Sequence, residues 1–409
     1  MKKFFALLLS LAMVLALVAC GQKETTTPDD TQTPDDTTPE VEYKIAMITD
    51  YGDITDQSFN QTTYEACKAF AEDNSIEFSY FKPAGDNTAD RVAMIEKAVD
   101  EGFNVIVMPG YAFGGAIVEA APEFPDVKFI ALDVAAGDLL ETAVAKAGEA
   151  YDYTPENWDL NKYVDMSNVY CAVYQEELCG YMAGYAAVKL GYKNLGFLGG
   201  MSVPAVVRYG YGFVQGVDAA AADLGLTDVK LNYIYGGQFF GDADITAVMD
   251  TWYQGGTEVV FACGGGIYTS AVDAAKKANA KVIGVDVDQA GVIAKYAGVD
   301  GMTVTSAMKG LYPATYDTLT DVIVNGNWEK YVGKIETLGL VSGTDPEANY
   351  VQIPMGDGTQ WSDSFTQDDY KAMVKDMFDG KITVSNDTTK APTDFATAIT
   401  VNAQGQIKG

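Results

Sequence analysis

The chain has 409 residues, with 27 Lys and Arg against 57 Asp and Glu, a formal charge of −30, and no histidine. The acidity argues against nucleic acid and anionic lipid headgroups as partners. The missing histidine excludes a His-based triad, a His general base and His metal ligands. Hydrophobic residues make up 48%, ample for a core, and the length fits two domains or lobes after a short leader.

Met1-Lys2-Lys3 and the apolar run from Phe4 to Val18 have the layout of a secretory signal, and the run is short for a membrane span. Leu17-Val18-Ala19-Cys20-Gly21 resembles the lipobox of bacterial lipoproteins. The resemblance implies a signal peptide at 1–19 and lipid on Cys20; the alternative is a signal peptide that merely contains a cysteine. After Cys20, residues 21–42 are built mainly from Thr, Pro, Asp, Gln and Glu, with almost nothing apolar. They read as a disordered tether holding a globular body off a membrane.

In the body, short apolar strand candidates recur at 44–49, 78–82, 104–109, 128–134 and 168–174, then at 194–199, 230–235, 258–263, 281–286 and 302–307. Helix-length amphipathic segments fill most gaps, among them Arg91–Glu101, Glu176–Lys189, Gly210–Asp223 and Thr269–Asn279. Such alternation predicts parallel sheets covered on both faces, and two such series predict two doubly wound α/β lobes. A helix is expected from Gly310 to about Val324. An irregular stretch follows, then a strand at Tyr350–Met355, a helix at Phe365–Phe378 and a short last strand at Lys381–Val384.

The turn from Thr49 to Gln61 follows the first strand and opens a helix from Phe59 to about Glu72. Ser58 and Gln61 have the spacing of a capping box. Asp50, a hydroxyl and the Phe59 ring therefore meet at a strand's carboxyl end, where open α/β sheets bind ligands. The same turn also reads as a capped turn with Phe59 stapled into the core. Gly264-Gly265-Gly266 either lets a ligand approach the backbone or makes an ordinary strand–helix turn. Asp286 and Asp288, two apart, would share a face and suit paired sugar hydroxyls. Glu176-Glu177 reads as an acidic first turn favoured by the helix dipole. Gly210 to Gly216 has the wrong spacing for a dinucleotide fingerprint and reads as helix interior. Neither a GxxxxGK[ST] loop nor a GxSxG elbow occurs, so no cofactor is expected. Cys67, Cys171, Cys179 and Cys263 lack CxxC spacing, so no metal is expected; a Cys171–Cys179 bridge stays open.

Taken in order, these blocks resemble the basic membrane protein family of bacterial lipoproteins, which includes purine nucleoside receptors. The match runs from about Lys44 to Asp321. It rests on Asp50-x-Gly52 with Asp56-x-Ser58-Phe59-Asn60-Gln61, Phe129 to Asp133, Tyr174 to Gly184, Gly199-Gly200-Met201-x-x-Pro204 with Gly212-Phe213-x-x-Gly216-Val217, Gly284 to Gln289, and Thr305 to Lys309. Thr55, Gln57, Leu178, Cys179 and Tyr209 depart from the family pattern.

The resemblance implies a periplasmic-binding-protein type I fold with three hinge crossovers, and an ABC permease and ATPase as partners. It implies a lipid-anchored, extracytoplasmic receptor for a nucleoside, and no enzyme. Phe59 and Phe239 would sandwich the base and Asp50 would read its edge. Asp286 and Lys309 would hold the ribose, with Asn60, Asp133, Tyr174 and Gly265 completing the site. Lobe 1 would comprise 43–173 and about 306–340, and lobe 2 would comprise 174–305 and about 341–409. The first two crossings are expected near Tyr174 and near Thr305-Ser306, which returns Lys309 to the first lobe. Receptors for a flavin, pentose or autoinducer, and a secreted hydrolase pairing Asp286 with Asp50, are the other readings.

Overall fold

The computed structural model describes residues 42–408. The signal peptide 1–19, Cys20 with its lipobox, and the tether up to residue 41 fall outside the described residues. Strands β1 (Lys44–Ile48), β2 (Glu77–Phe81), β3 (Val105–Pro109), β4 (Lys128–Leu132) and β5 (Val169–Tyr174) come first. Then follow β6 (Asn194–Gly199), β7 (Lys230–Tyr235), β8 (Val259–Cys263), β9 (Lys281–Asp286) and β10 (Thr303–Lys309). The last are β11 (Lys334–Leu338), β12 (Val351–Gln352) and β13 (Thr400–Gln406).

Two sheets result among the described residues. One has the order β11-β5-β4-β3-β1-β2, the other β12-β10-β9-β8-β6-β7-β13. Their strands run parallel, except that β12 pairs antiparallel with β10. The central strands are buried along nearly their whole length, as in β3 and β8. Covering helices supply the second layer that continuously apolar strands require. Each lobe thus has an apolar core on both faces of its sheet.

Three chain crossings join the lobes, and they lie side by side. Gln175 N–H donates to the Leu338 carbonyl at 3.0 Å, Gly310 N–H to Tyr350 at 2.7 Å, and Tyr350 N–H to Gly339 at 3.0 Å. The second crossing therefore falls at Gly310, not at Thr305-Ser306. β10 stays paired with β9 and β12 through Lys309, so Lys309 ends a strand of the second lobe. Thr305 and Ser306 are fully buried, and despite a register shift between Thr303 and Ser306 the strand keeps its pairing with β9 beyond them, which leaves no room for a hinge.

The tail also differs from expectation. Lys381–Val384 forms no strand; β13 adds to the second sheet beside β7 instead. β11 joins the first sheet within the stretch expected to be irregular. Gly180 and Gly184 face Gly212 and Gly216 across two packed helices, Glu176–Lys189 and Pro204–Asp223. A Cβ on Gly212 would stand 2.0 Å from the Glu177 carbonyl oxygen, and one on Gly216 2.1 Å from that of Tyr181. This close approach holds Glu176 beside Arg208. Cys67, Cys171, Cys179 and Cys263 are all free and buried, so Cys171 and Cys179 are unbridged.

Candidate binding site

A cavity of about 480 Å³ opens between the lobes, lined from the carboxyl ends of strands in both sheets. That is ligand-sized. Asp50, Phe59, Asn60, Asp133, Phe239, Gly265, Asp286 and Lys309 all line it. Tyr174 does not. Its ring is buried in the second lobe's core, with Lys309 Nζ 5.3 Å from its centroid. Strand alternation explains the difference, because Val173, one residue earlier, is the β5 residue on the wall.

The turn after β1 is tied by carboxylates. Asp50 Oδ1 accepts from the backbone N–H of Tyr51 and Gly52 at 2.6 and 2.7 Å, and from Asn60 Nδ2 at 3.1 Å. Burial raises Asp50 above the usual carboxylate range, and those donors oppose the rise. The capping box does not form. Asp56 caps the helix Phe59–Asn74 instead, accepting from the N–H groups of Ser58, Asn60 and Gln61 at 2.9, 2.9 and 3.1 Å. Gln61 Oε1 turns to Gln57, whose backbone N–H donates at 3.1 Å. A carboxylate is the stronger acceptor for such orphan amides, and its arrival frees the Ser58 hydroxyl.

Ser58 is fully buried and donates to Asp286 Oδ2 at 2.5 Å, from the first lobe to the second. Tyr209 donates its hydroxyl to Asp286 Oδ1 at 3.2 Å. Gln289 Nε2 donates to the Gln57 carbonyl at 3.2 Å, and its amide oxygen accepts from Val285 N–H. Asp133 and Asp286 both take the left-handed conformation, with φ of 61° and 64°. Strained non-glycine residues of this kind gather where surrounding structure enforces them. The kink at Asp286 also parts it from Asp288, which is exposed and caps the next helix through Ala290 N–H at 3.0 Å. The expected shared face is therefore absent.

Lys309 is the electrostatic centre. It pairs with Asp133 across the lobes, with Glu176 at 3.4 Å and with Asp286 at 3.9 Å. Its ammonium also lies 4.7 Å from the Phe59 ring centroid. Burial works against its charge, but Asp133, Glu176 and Asp286 more than offset that and hold it above the usual lysine range. Burial alone would likewise raise Glu176; Arg208, then Lys309, overcome it and hold that carboxylate low. Glu176 is thus a fully buried bridge, Arg208 Nε donating to it at 2.7 Å, and more than a helix-dipole residue. Asp133 keeps one buried oxygen, Oδ1, with no hydrogen-bond partner.

Phe239 sits on backbone. Its ring lies where a Cβ on Gly200 or Gly264 would stand, 2.3 and 2.8 Å from Cδ1. Its carbonyl accepts from Gly266 N–H at 2.8 Å. Phe240 also reaches the cavity but is 56% exposed, at the mouth. The glycine turn therefore seats an aromatic ring as well as leaving backbone open.

Sequence reasoning missed Tyr111, Asp138, Arg208 and Tyr209 on the wall. Arg208 and Tyr209 fall in the first turns of a helix, where their type alone carries no signal. Asp138 opens the helix Ala136–Lys146, and burial pushes it up to about 7. Cations on the wall are already paired: Lys82 with Asp53 at 2.9 Å, Arg208 with Glu176, and Lys309 as above. Carboxylates outnumber them, so the cavity disfavours anionic ligands and suits hydrogen-bond donors.

Comparison with known proteins returns a family match over residues 43–344, to the ABC transporter substrate-binding protein, PnrA-like family (Bmp). The chain is 26% identical over 362 residues to the ABC transporter nucleoside-binding protein BmpA of Lactococcus lactis, covering 84% of this chain and 90% of that one. It is 26% identical over 322 residues to basic membrane protein B of Borreliella burgdorferi, covering 76% and 83%. Among solved structures, a solute-binding protein of an ABC transporter system from Aeropyrum pernix shares the fold. Its TM-score is 0.60 at 20% identity, with 86% of this chain and 90% of that chain covered.

Proposed function

The chain belongs to the PnrA-like family of ABC transporter substrate-binding proteins, binding proteins rather than enzymes, and on that footing we propose that it captures an unphosphorylated purine nucleoside between its lobes and delivers it to an ABC importer. One observation carries the reading. Phe59 from the first lobe and Phe239 from the second line one cavity together with Asp286 and Lys309. Two rings offer faces for a flat base, each stacked face adding roughly 1–3 kcal/mol. Asp50 supplies an acceptor for a base edge. Asp286, and the unpartnered oxygen of Asp133, supply acceptors for ribose hydroxyls. The paired cations and surplus carboxylates disfavour a 5′-phosphate. The relative from Lactococcus lactis carries nucleoside binding in its name.

The same reading has Cys20 lipid-anchored and the body held outside the cytoplasmic membrane. Cys20→Ser then releases the protein from membranes on fractionation, and a variant that stays with them contradicts the anchor. The binding claim is tested by calorimetric titration with adenosine, guanosine and inosine and with their 5′-monophosphates. Saturable binding of a nucleoside without turnover, and none of the monophosphates, is the expected outcome. Equal binding of both classes contradicts it.

A further inference from the structure

β13 poses a question. Its residues are polar and mostly exposed, so it contributes little to the core, and it lies beyond the residues matched by the family model. A polar edge strand protects a sheet from pairing with other chains, but this one also leads somewhere. It is fixed at its start by Asp218, which accepts from the N–H groups of Thr397, Ala398 and Ile399 at 2.7, 2.6 and 3.2 Å. It then runs beside β7, with Ile407 N–H donating to the Tyr235 carbonyl at 2.8 Å. It ends against the turn that carries Phe239.

Three contacts define that end. A Cβ on Gly237 would stand 2.5 Å from the Lys408 carbonyl oxygen, so the turn is pressed against the strand's exit at a residue with φ of 85°. The Lys408 ammonium pairs with Asp242 and lies 3.5 Å from Asp244. Asp242 in turn accepts from Gln238 Nε2 at 2.9 Å and from the N–H groups of Asp244 and Ile245, both at 3.0 Å. Asp242 thus closes the turn from within while Lys408 holds it from outside. On its other side, the turn rests on Gly264 to Gly266.

We propose that β13 and the two residues after it form a strap that positions Phe239, so that ligand affinity depends on a segment that touches no ligand. The Lys408–Asp242 pair, only partly shielded from water, is weak taken alone. The strap works by denying the turn an alternative path, because a loosely supported binding group loses affinity even when it is present. Lys408 is accordingly a positioning residue. Its effect on nucleosides rests on the function proposed above.

Two variants test this: removal of residues 400–409, and the double substitution Gln406→Ala with Lys408→Ala, which keeps the strand but removes its side-chain grip on the turn, Gln406 Nε2 donating to the Lys408 carbonyl and lying 3.2 Å from where a Cβ on Gly237 would stand. Amide hydrogen exchange is followed over residues 237–241 in protein without added nucleoside, and Kd is measured for adenosine, guanosine and inosine. Exchange in the turn should quicken in both variants with the melting temperature nearly kept. Nucleoside Kd should rise about tenfold, and Lys408→Arg should retain normal behaviour. Unchanged exchange in the folded double variant overturns the proposal, as does faster exchange with unaltered affinity. If truncation unfolds the protein, the double variant decides. If the unaltered protein binds none of the three nucleosides, the function reading fails while the exchange arm still decides the strap.

Discussion

Ser58 Oγ donates to Asp286 Oδ2 at 2.5 Å across 228 positions of chain, joining the residue just before a first-lobe helix to the end of a second-lobe strand. Both residues are buried, so this hydrogen bond to a carboxylate is shielded from water and contributes only when the lobes meet. Ligand-binding proteins of two lobes convert such contacts into a bias toward closure.

Ser58→Ala should therefore weaken closure by roughly 1.5–3 kcal/mol, the range for hydrogen bonds to charged groups. Asp286 keeps Tyr209 and Lys309, so the fold should persist. Small-angle scattering checks the result: ligand-induced compaction should shrink or need more ligand. A variant that compacts at the same ligand concentration removes the contact from the closure account.

Phe59→Ala should lower nucleoside affinity by roughly 1–3 kcal/mol through lost stacking. The ring is only half-buried, so the melting temperature should change little. A large loss of stability with affinity unchanged would return Phe59 to the core, as the capped-turn reading has it.

Lys309→Met removes the ammonium shared by Asp133, Glu176 and Asp286. Breaking such a buried cluster from one side costs about 3–5 kcal/mol. The carboxylates left behind would take up protons more readily folded than unfolded. By linkage, the variant should regain stability as pH falls and lose it as pH rises. Thermal unfolding from pH 5 to 8 checks the slope; a uniform loss at every pH is the contrary result.

Glu177 offers a cleaner titration. Burial first, then Glu176, pushes it from 4.5 up to about 7, and its Oε2 has no partner. Because the folded value is raised, its contribution is fully present below about pH 4.5 and is lost as pH rises through about 7. Glu177→Gln should match the wild type near pH 4.5 and exceed it by about 3 kcal/mol near pH 8. Denaturant unfolding at both pH values measures the difference, and a constant offset would show that Glu177 does not titrate this way.

Much of the cavity wall was legible because strand ends are. Asp50, Asp133, Asp286 and Lys309 each close or follow an apolar run, and open α/β sheets gather ligands at that edge. What escaped has a physical pattern. β11 and β13 are edge strands with polar sequences, KIETL and TVNAQGQ, so they lack the apolar run that marks a central strand. Tyr174 and Val173 differ by one step of strand alternation, which the sequence leaves undecided at a strand's end. Arg208 and Tyr209 depend on the rotation of one helix against another, set by Gly180, Gly184, Gly212 and Gly216. The contacts between lobes, Ser58 to Asp286, Gln57 to Gln289 and Lys309 to Asp133, join residues far apart in the chain. Local pattern carries no information about them.

Native mass spectrometry of the protein as purified tests nucleoside capture most directly, since a tightly held ligand reports its own mass. The account predicts a single added mass equal to a purine nucleoside, lost on unfolding and restored by adding that nucleoside. An added mass matching a sugar, a flavin or a phosphorylated compound, or no binding after nucleosides are supplied, would contradict it.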